Sequence, residues 1–307
     1  MKALQSILSK TVCRMVGGLY DLAAGPFPKV VRIETTNACN AKCIICPHGT
    51  IGRKIQHMDD DLFEQVIDEC ARHGCKEIHL HNFGEPLMDK KLESRVVHAK
   101  QKGLKKVKIF SNGSLLSPQR AEALIDAGLD EIKISFDGAT REEFERIRTP
   151  LKFDTVVSNI KSLVAMRDQK KSPMSIHVAC CSTTDKQGTM DSLESIVDGF
   201  SFGKIHNWAG ETPEGDSDAD DSTGEQPAGT VRKPCSRLWR TCTVLAGGDV
   251  SLCCLDYDGQ HVLGHIDRQT TIADVWRGEA YRSVRAKHKQ AKQADLSLCQ
   301  NCTKAFL

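Results

Sequence analysis

The chain has 307 residues, of which 40% are hydrophobic and 27% are charged, as in an ordinary globular protein. Its net charge of +2 gives no strong attraction to nucleic acid or to an anionic membrane, so neither is an expected partner. No apolar run is long enough to span a bilayer, and Lys10 and Arg14 interrupt any signal-peptide core. Fourteen cysteines without a secretion signal favour metal ligation in the reducing cytoplasm over disulfide bonds.

The N-terminal extension, residues 1–28, is basic and partly apolar, which favours a helix packed on the following domain. Residues 29–210 alternate between short β-rich runs and stretches with apolar residues at helical spacing. The predicted strands are 29–34, 76–81, 105–110, 131–136, 174–180 and 203–208. Six strand–helix units predict an α/β fold, a partial (β/α)6 TIM-like barrel with a parallel sheet. Chemistry in such folds gathers at the carboxyl ends of the strands.

Three cysteines follow the first predicted strand at C-x3-C-x2-C spacing, namely Cys39, Cys43 and Cys46. Thiolates so close together indicate one soft metal centre, with zinc, copper or an iron–sulfur cluster as the choices. Closed zinc sites and ordinary four-iron clusters both take four protein ligands. A fourth ligand must therefore come from elsewhere, or one iron stays open to a ligand that is not protein. From spacing alone, a zinc site that borrows His48 or a distant cysteine remains an alternative.

Three short motifs follow later strands, at the end of the sheet where the cysteine loop is expected. They are Asn82-Phe83-Gly84-Glu85-Pro86, Ser111-Asn112-Gly113 and Ser135-Phe136-Asp137-Gly138, and Arg148 follows in Arg-Ile-Arg-Thr-Pro. Each motif alone is a common turn sequence. Together with the cysteine loop, and in this order, they resemble radical S-adenosylmethionine (SAM) enzymes over about residues 29–210.

The resemblance implies a [4Fe–4S] cluster on the three cysteines, whose open iron takes the amino and carboxylate groups of SAM. It also implies the SAM-binding residues. Gly84, Glu85 and Pro86 would lie at the amino group, Asn112 near the ribose and carboxylate, and Arg148 near the carboxylate. In the Ser-x-Asp-Gly segment, which also contains Asp137, the serine that reaches the ribose is Ser135. Phe83 stands where the family's Gly-Gly-Glu-Pro motif has its first glycine.

Residues 211–231 are acidic and rich in Gly, Ser, Thr and Pro, which predicts a flexible linker or surface loop. Residues 232–307 form a small α+β module with predicted turns at Gly247-Gly248 and Asp258-Gly259 and a helix from about Ile272 to Ala291. Such a small module buries little core by itself, so a bound metal is a natural stabiliser.

The module resembles the auxiliary-cluster extension called SPASM, or its shortened twitch form, through C-x12-G-x4-C and C-x2-C patterns. The resemblance implies that an auxiliary [4Fe–4S] cluster is held by Cys235, Cys253, Cys299 and Cys302. Zinc on the same four cysteines is the alternative. Cys254 competes with Cys253, but neighbours on a strand face opposite ways, and the spacing from Gly248 selects Cys253. Because the sequence ends at Leu307, one auxiliary cluster is expected, which makes two clusters in all.

The resemblance implies a radical SAM oxidoreductase or isomerase. Its reduced cluster would cleave SAM to methionine and a 5′-deoxyadenosyl radical that abstracts hydrogen from a substrate, with an electron donor such as flavodoxin or ferredoxin. Without an appended peptide-recognition domain, a small hydroxylated sugar or aminocyclitol is the expected substrate, through dehydrogenation or epimerisation. The alternatives are a peptide-modifying maturase and, from another class, a non-catalytic zinc or iron–sulfur protein. The sequence identifies no catalytic base or hydrogen donor.

Overall fold

The computed structural model describes residues 2–181, 185–193, 196–203, 205, 208 and 232–302. The predicted linker 211–231 lies outside the described residues. Among those that are described, no helix is both long and apolar enough to cross a membrane.

Strands and helices alternate along most of the described chain. The strands are β1 (Val30–Ile33), β2 (Glu77–His79), β3 (Val107–Ser111), β4 (Glu131–Ser135), β5 (Ser175–Cys180), β6 (Gly199–Phe202), β7 (Thr241–Val244), β8 (Asp249–Ser251) and β9 (Val262–His265). The helices are α1 (Lys2–Ala23), α2 (Asp60–Arg72), α3 (Leu92–Gln101), α4 (Pro118–Asp126), α5 (Arg141–Ile147), α6 (Phe153–Gln169), α7 (Lys186–Ser192), α8 (Arg237–Arg240), α9 (Ile272–Arg277), α10 (Glu279–Lys289) and α11 (Ser297–Gln300).

All nine of these strands belong to one open sheet, in the order β6-β5-β4-β3-β2-β1-β7-β8-β9. Strands β1 to β6 are parallel neighbours in sequence order, joined by helical crossovers, so the predicted partial (β/α)6 arrangement is confirmed. Strand β7 pairs in parallel with the free side of β1, and β8 and β9 extend the sheet antiparallel. The C-terminal strands therefore continue the sheet of the core.

One face of the parallel strands carries the hydrophobic core. Val31, Ile78, Ile109, Ile132 and Val178 are fully buried there, against the apolar faces of the crossover helices. In α2 the Asp59 carboxylate accepts a hydrogen bond from Asp61 N and so caps the helix start. Burying each large side chain of this kind contributes about 1.5–3 kcal/mol, so this layer holds the strand ends in place.

The opposite face of the same strands is polar. Successive side chains of a strand point to opposite sides, so the residues between the core positions share this face. Among them are Arg32 on β1, His79 on β2, Lys108 on β3, Lys133 on β4 and His177 on β5. We call this side of β1–β5 the polar face. A packed TIM barrel fills the corresponding space with branched apolar side chains.

The N-terminal helix packs on the C-terminal region. Helix α1 lies against α8 and α10, where the Asp21 carboxylate accepts a hydrogen bond from Trp239 Nε1 (2.7 Å) and pairs with Lys289 Nζ (2.6 Å). The helix is thus present as predicted, and its partners are the elements around the auxiliary cysteines.

Two predicted elements are wrong in detail. The sixth strand covers 199–202, because its pairing with β5 begins at Gly199 opposite His177, directly after the turn at Asp198. Of the predicted span 203–208, residues 203, 205 and 208 are not in a strand, and the others lie outside the described residues. The single helix predicted from Ile272 is two helices, because Gly278 adopts an extended conformation (φ −63°, ψ 167°) between α9 and α10.

A buried carboxylate joins the crossover helices to the C-terminal region, and this generates a stability prediction. Both oxygens of Glu69, on α2, accept hydrogen bonds at the start of α9, from Ile272 N (2.8 Å) and Ala273 N (2.9 Å). We expect Glu69→Gln to lower the free energy of unfolding by about 1–2 kcal/mol, because the charge at the helix N-terminus and one acceptor are lost. Anaerobic urea unfolding measures the effect. Glu64→Gln, at an exposed position of the same helix, is the control, and an equal loss there would contradict the prediction.

Candidate functional site

The loop that carries Cys39, Cys43 and Cys46 leaves the carboxyl end of β1. Asn37 fixes its entry, since its side chain donates to Lys54 O (2.9 Å) and accepts from Gln56 N (2.7 Å). The chain before the cysteines is therefore tied to the chain that follows them.

The three thiols share a largely buried environment. Burial raises the pKa of Cys39 to about 12 and of Cys46 to about 11, and it also raises the pKa of Cys43. The Cys43 and Cys46 thiolates raise the pKa of Cys39, and the Cys43 thiolate raises that of Cys46, so the three side chains lie close enough to interact electrostatically. Buried thiolates need a compensating positive charge, and the donor chemistry of three cysteines fits an iron–sulfur cluster.

A mononuclear zinc site requires a tighter arrangement. In zinc sites the thiolate sulfurs all lie about 2.3 Å from one ion. In the described part of the chain, no three His, Cys, Asp or Glu side chains are grouped to hold a single metal ion.

The turn after β2 packs directly on the cysteine loop. Gly84 has φ +99°, and a Cβ there would lie 2.7 Å from the carbonyl carbon of Asn37 and 2.8 Å from Ala38 O. The next residue, Glu85, donates its N–H to Ala38 O (2.8 Å). Glycine is needed here for the close approach of two backbones.

The Glu85 carboxylate links the ends of β2 and β3. It is buried, and it accepts hydrogen bonds from Leu87 N (3.0 Å), Ser111 Oγ (2.7 Å) and Asn112 N (2.7 Å). Burial raises its pKa, although these hydrogen bonds oppose that shift. Pro86 begins a single helical turn, Pro86–Met88. Three of about four acceptor positions on the carboxylate are already used within the protein.

Asn112 also reaches the cysteine loop. Its side-chain nitrogen donates to Asn40 Oδ1 (2.9 Å), one residue after Cys39. Ser135 lies half-buried at the end of β4, on the polar face. Both predicted ribose-side residues thus lie at the carboxyl edge of the sheet.

Arg148 lies beside the cluster cysteines. The backbone on either side of it bonds to the cysteine loop, through Lys42 N to Thr149 O (2.6 Å) and Ile44 N to Ile147 O (3.0 Å). Its positive charge lowers the pKa of Cys43 against the larger effect of burial. The guanidinium is buried and pairs with the Asp137 carboxylate, while its Nε has no hydrogen-bond partner among the described residues.

The four predicted auxiliary ligands line one cavity. They come from three places in the chain: Cys235 precedes α8, Cys253 follows β8, and Cys299 and Cys302 lie in and after α11. The other lining residues are Arg232, Arg237, Leu238, Leu252, Leu255, His288 and Leu298. Burial raises the pKa of Cys299 to about 12 and raises that of Cys235. The structure thus brings these four cysteines to one cavity, and no Asp or Glu is among its lining residues.

Cys254 is not among the residues that line that cavity, but it interacts with two that are, Cys235 and Arg237. The adjacent Cys253 thiol lowers the pKa of Cys254, and the cations Arg32 and Arg237 lower it further. Arg32 belongs to the polar face of the sheet, whereas Cys253 lines the cavity and lies 3.8 Å from Arg237 Nη1. The two thiols also interact with each other, and neither residue belongs to a strand, so the expected alternation of faces does not apply here. The choice of Cys253 over Cys254 therefore stays a prediction, and it rests on the lining of the cavity.

One pair at the centre of this arrangement is not indicated by any sequence pattern. The Glu34 carboxylate, fully buried after β1, pairs with Arg53 through two bonds of 2.7 and 3.0 Å. It also accepts from Phe83 N (3.3 Å) and Ala246 N (3.2 Å). Arg53 donates in addition to Tyr257 O (2.8 Å). No local motif marks this pair, since the partners are 19 residues apart in sequence.

Phe83, the departure from the family motif, has a structural explanation. Its buried ring packs on His48 of the cysteine loop (centroids 5.6 Å apart), on Trp208 (5.5 Å) and on Tyr257 (5.4 Å). The ring therefore joins the cysteine loop to the C-terminal region.

Comparisons with known proteins agree with this geometry. Residues 33–172 match the Radical SAM superfamily, and residues 235–303 match the SPASM iron–sulfur cluster-binding domain. A GTP 3′,8-cyclase of Chlorobaculum tepidum is 34% identical over 44% of this chain and 41% of its own length. A PqqA peptide cyclase of Rhodopseudomonas palustris is 33% identical over 39% of this chain and 32% of its own length. The matches thus span less than half of either relative.

The solved structure of BtrN in complex with AdoMet and 2-DOIA superposes with a TM-score of 0.61 at 19% identity, and the match covers 89% of this chain and 92% of BtrN. At this identity the likeness establishes the fold. A radical SAM domain implies a [4Fe–4S] cluster and SAM, and a SPASM domain implies additional clusters. The chain therefore contains a Radical SAM domain over residues 33–172 and a SPASM iron–sulfur cluster-binding domain over residues 235–303.

Proposed function

We propose that this chain is an enzyme that cleaves SAM at the Cys39–Cys46 loop and abstracts hydrogen from a small polar substrate on the polar face of the sheet. The observation that carries the proposal is the position of Arg148. A buried guanidinium with an unused N–H, held by Asp137, lies beside the cysteine loop, where a carboxylate ligand of the open iron would need a cation.

The residues at this edge of the sheet have distinct roles in the proposal. Cys39, Cys43 and Cys46 would hold the cluster, and Arg148 would bind the SAM carboxylate. When bound, the cluster and SAM supply one-electron cleavage of a carbon–sulfur bond, and an auxiliary cluster supplies an acceptor for an electron from the substrate. The one acceptor position that remains on the Glu85 carboxylate suits the ammonium group of SAM. The burial of this carboxylate keeps water away from the reacting groups.

The C-terminal cavity would hold one auxiliary [4Fe–4S] cluster on Cys235, Cys253, Cys299 and Cys302. Arg237, 3.8 Å from Cys253 Sγ, would offset the negative charge of the thiolates. An electron donor such as flavodoxin or ferredoxin would supply the reducing electron, which fits a cytoplasmic protein.

For the substrate, we propose a small hydroxylated molecule such as a sugar, through dehydrogenation or epimerisation. The support is the extent of the likeness to BtrN, which is matched over 92% of its length. Peptide modification is the second candidate, and the similarity to PqqA peptide cyclase favours it.

Anaerobic reconstitution with iron and sulfide, followed by dithionite and SAM, tests the enzymatic proposal. We expect 5′-deoxyadenosine by chromatography and the brown absorbance of iron–sulfur clusters. Zinc in place of iron, or clusters without SAM cleavage, would leave the non-catalytic alternative. Hydrogen abstraction is then tested by deuterium transfer from candidate sugars and peptides into 5′-deoxyadenosine.

The cavity predicts which cysteine of the adjacent pair is a ligand. Two four-iron clusters give about eight irons per chain, and changing Cys39, Cys43 and Cys46 together to Ala should leave about four. Adding Cys253→Ala should remove most of the remaining iron, because that thiol lines the cavity. Adding Cys254→Ala is the matched control and should leave the iron in place. The reverse result, measured by iron analysis, would move the ligand assignment by one residue.

The turn at Gly84 predicts a loss of the cluster at the three-cysteine loop. In Gly84→Ala the new methyl meets the Asn37 backbone at 2.7 Å, so the cysteine loop must shift, and we expect the iron that remains after removal of the auxiliary cysteines to fall by more than half. Gly74→Ala is the control, because Gly74 also has positive φ (+63°) but nothing within 4 Å of an added Cβ. In both variants an alanine at positive φ raises the free energy of the folded backbone by about 1–2 kcal/mol. Equal iron loss in the two variants would therefore mean that backbone strain, and not the contact with Asn37, is responsible.

A further inference from the structure

The polar face carries more charge than a packed interior tolerates. Ion pairs account for part of it: Lys108 pairs with Glu77 and lies 3.8 Å from Glu131, which also pairs with Lys106 (2.9 Å). Two carboxylates are thus matched by two lysines at the amino-terminal end of the strands. These four charges cancel one another.

Two further cations on this face have no carboxylate partner among the described residues. Lys133, on β4, has its ammonium 5.3 Å above the ring of Phe110, and Arg32, on β1, contacts His79 Nδ1 (3.4 Å) and lies beside Cys254. Both side chains are half-buried, so they remain reachable from solvent. Within the described chain, Arg32 thus has only the Cys254 thiol as a possible anionic partner, and Lys133 has a ring and no anion. A partly desolvated cation without a counter-charge is costly to maintain, and an anionic ligand would offset that cost.

Three stacked rings occupy the space between these cations. His79 stacks on His81 (centroids 5.2 Å apart), and His81 stacks on Phe110 (4.5 Å). Burial lowers the pKa of His79 to about 4 and lowers that of His81, so both imidazoles are neutral near pH 7. The Nδ1 atom of His81 is buried and has no hydrogen-bond partner in the described part of the chain. The row thus leaves one unused polar atom between the two cations.

The row lies close to the proposed SAM site. Lys133 precedes Ser135 by two residues on β4, and Phe110 precedes Asn112 by two along β3. Two residues of a strand span about 7 Å. A molecule bound at Lys133 would therefore lie directly below the edge where SAM is proposed to bind.

We propose that the polar face, through Lys133 and Arg32, binds an oxyanionic group of the substrate, either a carboxylate or a phosphate. The inference rests on the proposed function and narrows its substrate class. An aminocyclitol carries ammonium groups, which these cations would repel. The expected substrate is therefore an acidic or phosphorylated molecule and not an aminocyclitol. Neutral His79 and His81 add no charge that would compete with these two cations.

Anion binding to the SAM-saturated holoenzyme tests this, without reductant and at low ionic strength, by isothermal titration calorimetry. Saturation with SAM keeps Arg148 from acting as the receptor, and low salt preserves the charge interaction. The probes are inorganic phosphate and malonate. We expect Lys133→Met and Arg32→Gln each to weaken binding of the preferred probe about tenfold, and Lys133→Arg to retain it. Lys90→Met, at an exposed lysine, is the control for the loss of one charge.

The outcomes separate the sources of the anion and the two proposals. Tighter phosphate binding indicates a phosphorylated substrate, and tighter malonate binding a carboxylic acid. No binding by the unchanged protein, or an equal loss in Lys90→Met, overturns the inference. Iron content and circular dichroism show whether each variant is folded, and if Lys133→Met does not fold, Arg32→Gln and Lys133→Arg decide. If the unchanged protein fails to cleave SAM, the proposed function fails whatever the anion result.

Discussion

The buried Glu34–Arg53 pair is the interaction on which the site depends most. Glu34 stands at the end of β1, Arg53 follows the cysteine loop, and the two are joined by bonds of 2.7 and 3.0 Å. The same carboxylate receives N–H groups from Phe83 and Ala246, which belong to the second strand–helix connection and the C-terminal hairpin. Removing one partner of a buried pair typically costs about 3–5 kcal/mol, because the other charge stays buried and uncompensated. Here the loss would weaken the contacts among three segments, namely the cysteine loop, the second strand–helix connection and the C-terminal hairpin.

Sequence patterns predicted most of the fold because the signals were local. Buried strands bounded by turn residues and followed by helical periodicity define β1 to β5 within a few residues. The error at the sixth strand has a tertiary cause, since β6 takes its position from pairing with β5 at Gly199. The break at Gly278 was visible as a glycine within a helical pattern, but the apolar spacing of Val275, Trp276 and Tyr281 continues across it.

The candidate site was predictable only where a motif carried it. Cys39, Gly84 and Asn112 were found because short motifs mark them, and the structure brings them to one edge of the sheet. The polar face could not be found in this way. Its residues occur singly at alternate strand positions, where a lysine such as Lys133 has the same sequence signature as a solvent-exposed one. Only the pairing of β3 with β4 shows that Lys133 lies over Phe110.

The position of β7 in the sheet places both cysteine groups next to the polar face. Because β7 pairs with β1, the chain after β8 passes beside Arg32, which interacts with Cys254, while the adjacent Cys253 lines the auxiliary cavity. The same segment continues to Tyr257, whose ring meets Phe83 next to the cysteine loop. A substrate on the polar face would thus lie between the proposed SAM site and the loop that holds an auxiliary ligand. Cys254, which interacts both with Arg32 of the polar face and with Arg237 of the auxiliary cavity, is the residue of this segment that joins the two sites.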